Sequence, residues 1–100
     1  MKTRIAFAAA AALLIPAMSA HAYSGENYAK DAKISIRQAS EIALKARPGK
    51  ITDRELEREK GGSGLRYSFD ITSHKTKYEV GVDAQTGTVL ENAREGAHPD

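Results

Sequence analysis

Leu65-Arg66-Tyr67-Ser68-Phe69-Asp70-Ile71-Thr72, followed after a short polar break by Lys77-Tyr78-Glu79-Val80-Gly81-Val82-Asp83, is the stretch that decides the fold. In the first run Leu65, Tyr67, Phe69 and Ile71 alternate with Arg66, Ser68, Asp70 and Thr72. In the second, Tyr78, Val80 and Val82 alternate with Lys77, Glu79, Gly81 and Asp83. A side-chain period of two sorts residues onto opposite faces of a strand, so each run is expected as a strand with one buried face. Ser73-His74-Lys75-Thr76 between them has hairpin length. Asp83-Ala84-Gln85-Thr86-Gly87 then leads into Thr88-Val89-Leu90, as a tight turn with Gly87 at positive φ would before a further strand. Tyr67, Phe69 and Tyr78 are expected as core residues.

Upstream, the period changes. Ser35-Ile36-Arg37-Gln38 forms a capping-box pattern, in which a serine hydroxyl and a glutamine side chain satisfy each other's orphan amides. From Ile36 the apolar residues Ala39, Ile42, Ala43 and Ala46 recur at helical spacing, with Arg37, Gln38, Glu41 and Lys45 opposite. Three of those five inward residues are alanine, so this helix can approach a sheet closely. Leu44 falls off the stripe. Arg47-Pro48-Gly49 ends the helix, because the residue before a proline is pushed out of the α region.

Residues 51–60 sit between helix and hairpin. Thr52-Asp53-Arg54-Glu55 is a second capping-box pattern, and the charged run after it suits a helix. Such a helix would bring only Leu56 to the core. As an edge strand the same segment is dense in charge, which is how sheets protect an exposed edge, and Gly61-Gly62-Ser63-Gly64 becomes the turn into Leu65. The strand is the expected form. It would bring Arg54, Arg58 and Arg66 near one another, and these three are the candidate partner-contacting residues. The same charges also serve simply to prevent self-association.

The first 22 residues have another character. Lys2 and Arg4 precede an unbroken apolar run over residues 5–15, Pro16 breaks it, and Ala20-His21-Ala22 fits the small-x-small pattern of signal-peptidase cleavage. Eleven residues of helix span about 16 Å, roughly half a bilayer core, so this is too short for an ordinary membrane anchor. A cleaved signal peptide is expected over 1–22, then a polar tether, helical in part or not at all, over 23–33, a folded domain over 34–94 and a loose polar tail over 95–100. The periplasm is the expected compartment, with secretion beyond the cell as the alternative and no stable membrane insertion after cleavage.

Cleavage changes the charge argument. The whole chain carries 15 basic and 13 acidic residues, and Lys2 and Arg4 leave with the signal, so the remainder is neutral (13 − 13). The basic isoelectric point therefore gives no support for nucleic-acid binding. With no cysteine, the domain must fold on packing alone, and thiolate metal sites, iron–sulfur clusters and disulfide exchange are excluded.

Catalytic signals are lacking. His74 and His98, the histidines left after cleavage, fall in a turn and a tail, whereas a metal centre needs three or four convergent ligands. The carboxylate pairs Glu55/Glu57/Glu59 and Glu91/Glu95 lie among lysines and arginines, with no pocket to separate their pKa values for acid–base work. Gly61-Gly62-Ser63-Gly64 lacks the lysine and following helix of a phosphate loop. No catalytic, metal or cofactor-binding residue is assigned.

The helix opening Ile34-Ser35-Ile36-Arg37-Gln38-Ala39 with Ile42-Ala43, and the Tyr-Glu-Val-Gly-Val strand closed by Asp83-Ala84-Gln85-Thr86-Gly87-Thr88-Val89-Leu90, resemble the PepSY domain. The resemblance covers residues 34–94 and departs from the family over 51–60, which are more charged and less alternating. It implies an α+β fold, with one N-terminal helix packed on an antiparallel meander of three to four strands. It also implies a non-catalytic module binding or restraining a peptidase or other envelope protein. The alternative is an envelope-stress or sensory accessory domain that binds a small ligand or metal ion. The Ala20-His21-Ala22 pattern makes Tyr23 the expected N-terminus of the exported protein. Intact-mass analysis of periplasmic material checks this, and protein retaining residues 1–22 in the membrane would overturn it.

Overall fold

The computed structural model describes residues 23–96, so the signal-peptide reading of 1–22 and the last four residues of the expected tail lie outside the described residues. Helix α1 (Ile36–Ala46) begins at the expected capping box: the Gln38 amide donates to the Ser35 hydroxyl at 3.1 Å, and the Ser35 amide donates to Gln38 Oε1 at 2.9 Å. Ile36, Ala39 and Ala43 are buried, and the alanines let the helix backbone approach the sheet. Leu44 is half-buried at the margin of the core.

Four strands follow, β1 (Lys50–Arg58), β2 (Leu65–Ser73), β3 (Thr76–Asp83) and β4 (Val89–Arg94), paired antiparallel in chain order as a meander. The contested segment is therefore a strand. Its residues pair with β2 from Lys50↔Thr72 to Arg58↔Leu65, with a register shift between Ile51 and Asp53. Leu56, the lone core residue that made a helix implausible there, faces Tyr67 and is fully buried. Leu65, Tyr67, Phe69 and Ile71 meet Val80 and Val82 under α1, as the period-two pattern requires. Burying a side chain the size of Phe69 contributes roughly 1.5–3 kcal/mol. Tyr78 is only half-buried, and the Arg47 guanidinium at the end of α1 stacks 3.8 Å over its ring.

The expected tether is docked instead. Residues 26–31 form a short 3-10 helix (Glu26–Asp31), and Tyr23, Tyr28 and Ala32 pack against the core. Ser24 bridges Glu55 in parallel, its carbonyl accepting from the Leu56 amide at 2.9 Å. Gly25 makes this approach possible: at φ 81, a Cβ there would sit 1.9 Å from the Leu56 carbonyl oxygen. The Lys33 and Ile34 amides both donate to the Ala84 carbonyl (2.9 and 3.2 Å), and the Tyr67 hydroxyl donates to the Ile34 carbonyl at 2.9 Å. Burial, reinforced by the Tyr23 phenol, pushes the Tyr67 hydroxyl up to about 12, so it stays a donor throughout the physiological range.

Two turns carry opposite backbone chemistry. Gly87 takes φ 82 after Asp83–Thr86 and donates its amide to the Asp83 carbonyl at 2.9 Å, as expected for that turn. The β2–β3 loop has only two residues, His74 (φ 51) and Lys75 (φ 67), both left-handed, the type I′ pattern that usually takes Asn-Gly. A left-handed non-glycine residue costs about 1–2 kcal/mol. Gly87→Ala is accordingly expected to lose about 1 kcal/mol or more, and Lys75→Gly to gain a comparable amount, as read from urea midpoints. Equal and unshifted midpoints in both variants would show that neither turn is strained as described.

Candidate partner-binding surfaces

The two faces of the sheet are unlike. The register puts Arg54, Leu56 and Arg58 on the face that carries α1, because they stand opposite the buried Phe69, Tyr67 and Leu65. Arg66 stands opposite Glu57 and Asp83, on the other face. The three arginines expected together are thus divided. Arg58 reaches Asp31 at 3.0 Å and lies 5.2 Å over the Tyr28 ring, holding the 3-10 segment. Arg54 is half-buried on the same side, where its charge acts on Tyr23. Arg66 is buried across Gly81, bonded to Glu91 (3.3 Å) and the Lys60 carbonyl (3.2 Å), with Glu59 at 4.0 Å. The signal was within each strand: Arg54 and Arg58 share the parity of the core residue Leu56, whereas Arg66 alternates with the core residues Leu65 and Tyr67. The β1 edge itself is also partly occupied, by the Ser24 bridge.

Asp83 is the functional group of the fold that sequence reasoning missed. Its side chain is 1 % exposed, yet its carboxylate accepts from the Ser63 amide (2.6 Å), the Ser63 hydroxyl (2.8 Å), and the Gln85 and Thr86 amides (2.8 and 3.1 Å). Burial would raise its pKa, but these donors outweigh burial and hold it below the usual carboxylate value. The signal was present, since an aspartate opening a tight turn routinely accepts the turn amides.

The face opposite α1 is acidic. β1 contributes Asp53, Glu55 and Glu57, β2 contributes Asp70, β3 Glu79 and β4 Glu91, around the small residues Ser68 and Gly81. Ser68 donates to Glu57 at 2.7 Å, and Lys77 pairs with Glu95 at 3.8 Å. Desolvation raises Glu57, Asp70 and Glu79, and neighbouring carboxylates raise them further: Glu55 and Glu59 for the first, Glu95 and Asp53 for the second, Glu91 and Asp70 for the third.

A separate open cleft of about 540 Å³ lies between the 3-10 segment and the start of α1, over Tyr67 and beside Ala29, Ile34 and Ile36. Two of its polar groups, Ser35 and Gln38, are bound to each other in the helix cap. Among the described residues no three His, Cys, Asp or Glu side chains converge to hold a metal ion, and no helix is long and apolar enough to cross a membrane.

The sequence pattern of the PepSY family, described as the peptidase propeptide and YPEB domain, matches residues 33–92, from the residue before Ile34 into β4. The chain belongs to the PepSY family. No curated protein and no solved structure matches it. PepSY domains are in general non-catalytic modules related to peptidase propeptides and inhibitors, and they occur in exported proteins. The turn at Asp83 supplies a stability test of this family member. A carboxylate whose pKa is lowered by folding stabilises above its unfolded pKa, and that contribution is lost as pH falls through the folded value. Glu57, Asp70 and Glu79, raised by folding, act in the opposite sense: their contribution is present below the unfolded pKa and is lost as pH rises through their folded values. Asp83→Asn is expected to cost roughly 2–4 kcal/mol at neutral pH through orphaned donors, with the gap from wild type narrowing as pH falls below about 4. Urea titrations across pH check it, and a pH-independent gap would show that the ionised carboxylate is not what the turn uses.

Proposed function

We propose that the chain acts as an exported, non-catalytic binding module that binds or restrains a peptidase or another protein of the bacterial envelope. The observation that carries this reading is the family match over 33–92, which takes in α1, the first three strands and part of β4. The geometry supports it. The buried polar side chain with most partners, Asp83, is consumed in holding two turns, and Arg66 is consumed by Glu91 and a backbone carbonyl. Neither lines the cleft beside the start of α1. A signal peptide over 1–22 and periplasmic delivery complete the proposal, because a restraint on an exported peptidase has to be exported with it.

Casein hydrolysis by the peptidase fraction that the same cell exports, measured with and without added purified chain, tests the reading. The expected result is a saturable fall in rate with the chain intact at the end. Hydrolysis by the chain alone, or an unchanged peptidase rate together with no captured envelope partner, would overturn it.

A further inference from the structure

The charges of this chain are sorted by side. Arg37 and Lys45 are exposed on α1, Arg47 stacks at its end, and Arg54 and Arg58 stand on the same side of β1. The opposite face of the sheet holds the carboxylates. Arg66 and Lys77 answer Glu59, Glu91 and Glu95 there, while Glu57, Asp70 and Glu79 form no ion pair among the described residues. Folding therefore crowds six carboxylates of the strands onto a face whose cations are Arg66 at its centre and Lys50 and Lys77 at one end, of which Lys77 acts on Asp70. No helix or strand among the described residues packs on this face, and its centre is cut down to Ser68 and Gly81.

We propose that this face, where Glu57 caps Ser68 and Arg66 crosses Gly81 with Asp70 and Glu79 beside them, is the docking surface for a cationic patch on a protein partner. The proposal rests on the binding-module reading above and gives that module its contact face. Charge complementarity selects the partner. A cationic surface removes the mutual repulsion of Glu57, Asp70 and Glu79, and its attraction is strengthened as it displaces water from a partly desolvated floor. The strand spacing and rise give the face a projected area on the order of 500 Å². That is the small end of specific interfaces, where electrostatic steering governs the encounter and complexes are transient. Binding of this kind weakens with salt, and it weakens as pH falls into the carboxylate range. The groups that set this pH response are Lys50, Asp53, Glu55 and Glu57 from β1, Glu59 just after it, and Asp70 with Arg66 from β2. Glu79 with Lys77 on β3, and Glu91 with Glu95 at β4, complete them.

The test is an amide-resolved NMR titration of the protein as isolated from the exporting cell. The probe is an eight-residue oligolysine, and oligoglutamate is the control. Shifts are expected at Ser68, Asp70, Glu79 and Gly81 with oligolysine only, and raising salt from about 20 mM to about 500 mM should weaken binding by roughly tenfold or more. Asp70→Lys with Glu79→Lys should abolish those shifts in a protein that still melts cooperatively. The milder pair Asp70→Asn with Glu79→Gln should reduce them. Shifts that map to α1, or that survive charge reversal, would overturn the proposal. So would concentration-dependent shifts without peptide on both faces, which would make the occupant a second copy of the chain. Repeating the casein assay with the reversed variant separates the two claims. Restraint by wild type and variant alike removes this face while leaving the module reading intact, whereas peptide binding here with neither restraint of peptidase nor a captured envelope partner removes the module reading alone.

Discussion

One buried carboxylate organises this domain. Asp83 ends β3, and its four accepted hydrogen bonds reach in two directions, to Ser63 in the β1–β2 turn and to Gln85 and Thr86 in the turn before β4. The next residue extends the network. The Ala84 amide donates to the Leu65 carbonyl, and the Ala84 carbonyl accepts from Lys33 and Ile34, which lead into α1. Both turns at one end of the sheet and the approach to the helix are thus fixed within two residues. Ala84 is fully buried, so a larger side chain has no room, and Gly87 closes the turn at positive φ. Asp83-Ala84-Gln85-Thr86-Gly87 is thereby a structural joint with a physical reason at three positions: an acceptor at Asp83, a small residue at Ala84 and a left-handed backbone at Gly87.

Much of the fold was legible because it obeys simple periods. Strands β2 and β3 follow from alternation, and α1 follows from its cap, its alanine-rich stripe and Pro48. β1 was harder, since Thr52-Asp53-Arg54-Glu55 offers a plausible local helix. The decision came from what each alternative could bury, and Leu56 facing Tyr67 shows why that criterion works. Residues 23–33 were opaque for a definite reason. They dock through a parallel bridge, a 3-10 turn and a glycine pressed against the Leu56 carbonyl, and none of these has a sequence period. Tyr23 and Tyr28, two aromatics in a supposed tether, were the available warning.

The candidate site was less legible than the fold. Grouping Arg54, Arg58 and Arg66 by proximity in sequence ignored which face each one occupies. Laying the polar halves of the strands beside one another, Glu55 and Glu57 by Ser68 and Arg66, then Asp70 by Glu79, would have brought out the acidic face. That step needs the register, and register is set by the hairpin turns. The His74-Lys75 loop is short enough to fix β2 against β3, whereas the four-residue stretch 61–64 could have closed in more than one way. Its actual closure is dictated from outside, by Ser63 bonding to Asp83 some twenty residues later in the chain.

A net charge near zero conceals how unevenly the charges are placed. Summed over residues 23–100, acids and bases cancel. Period two turns that sum into geometry: residues two apart share a face, so a strand such as Asp53, Glu55, Glu57 loads one side with negative charge while Arg54 and Arg58 load the other. The helix covers the side that carries the arginines, and its own Arg37 and Lys45 add to them. A second helical layer on the acidic side would have to desolvate Glu57, Asp70 and Glu79 without partners, at several kcal/mol per buried charge. An uncharged layer over this face would therefore cost stability. What that face can accept is a surface arriving from outside with charges of its own, and the same alternation that builds the core on one side leaves this receptive surface on the other.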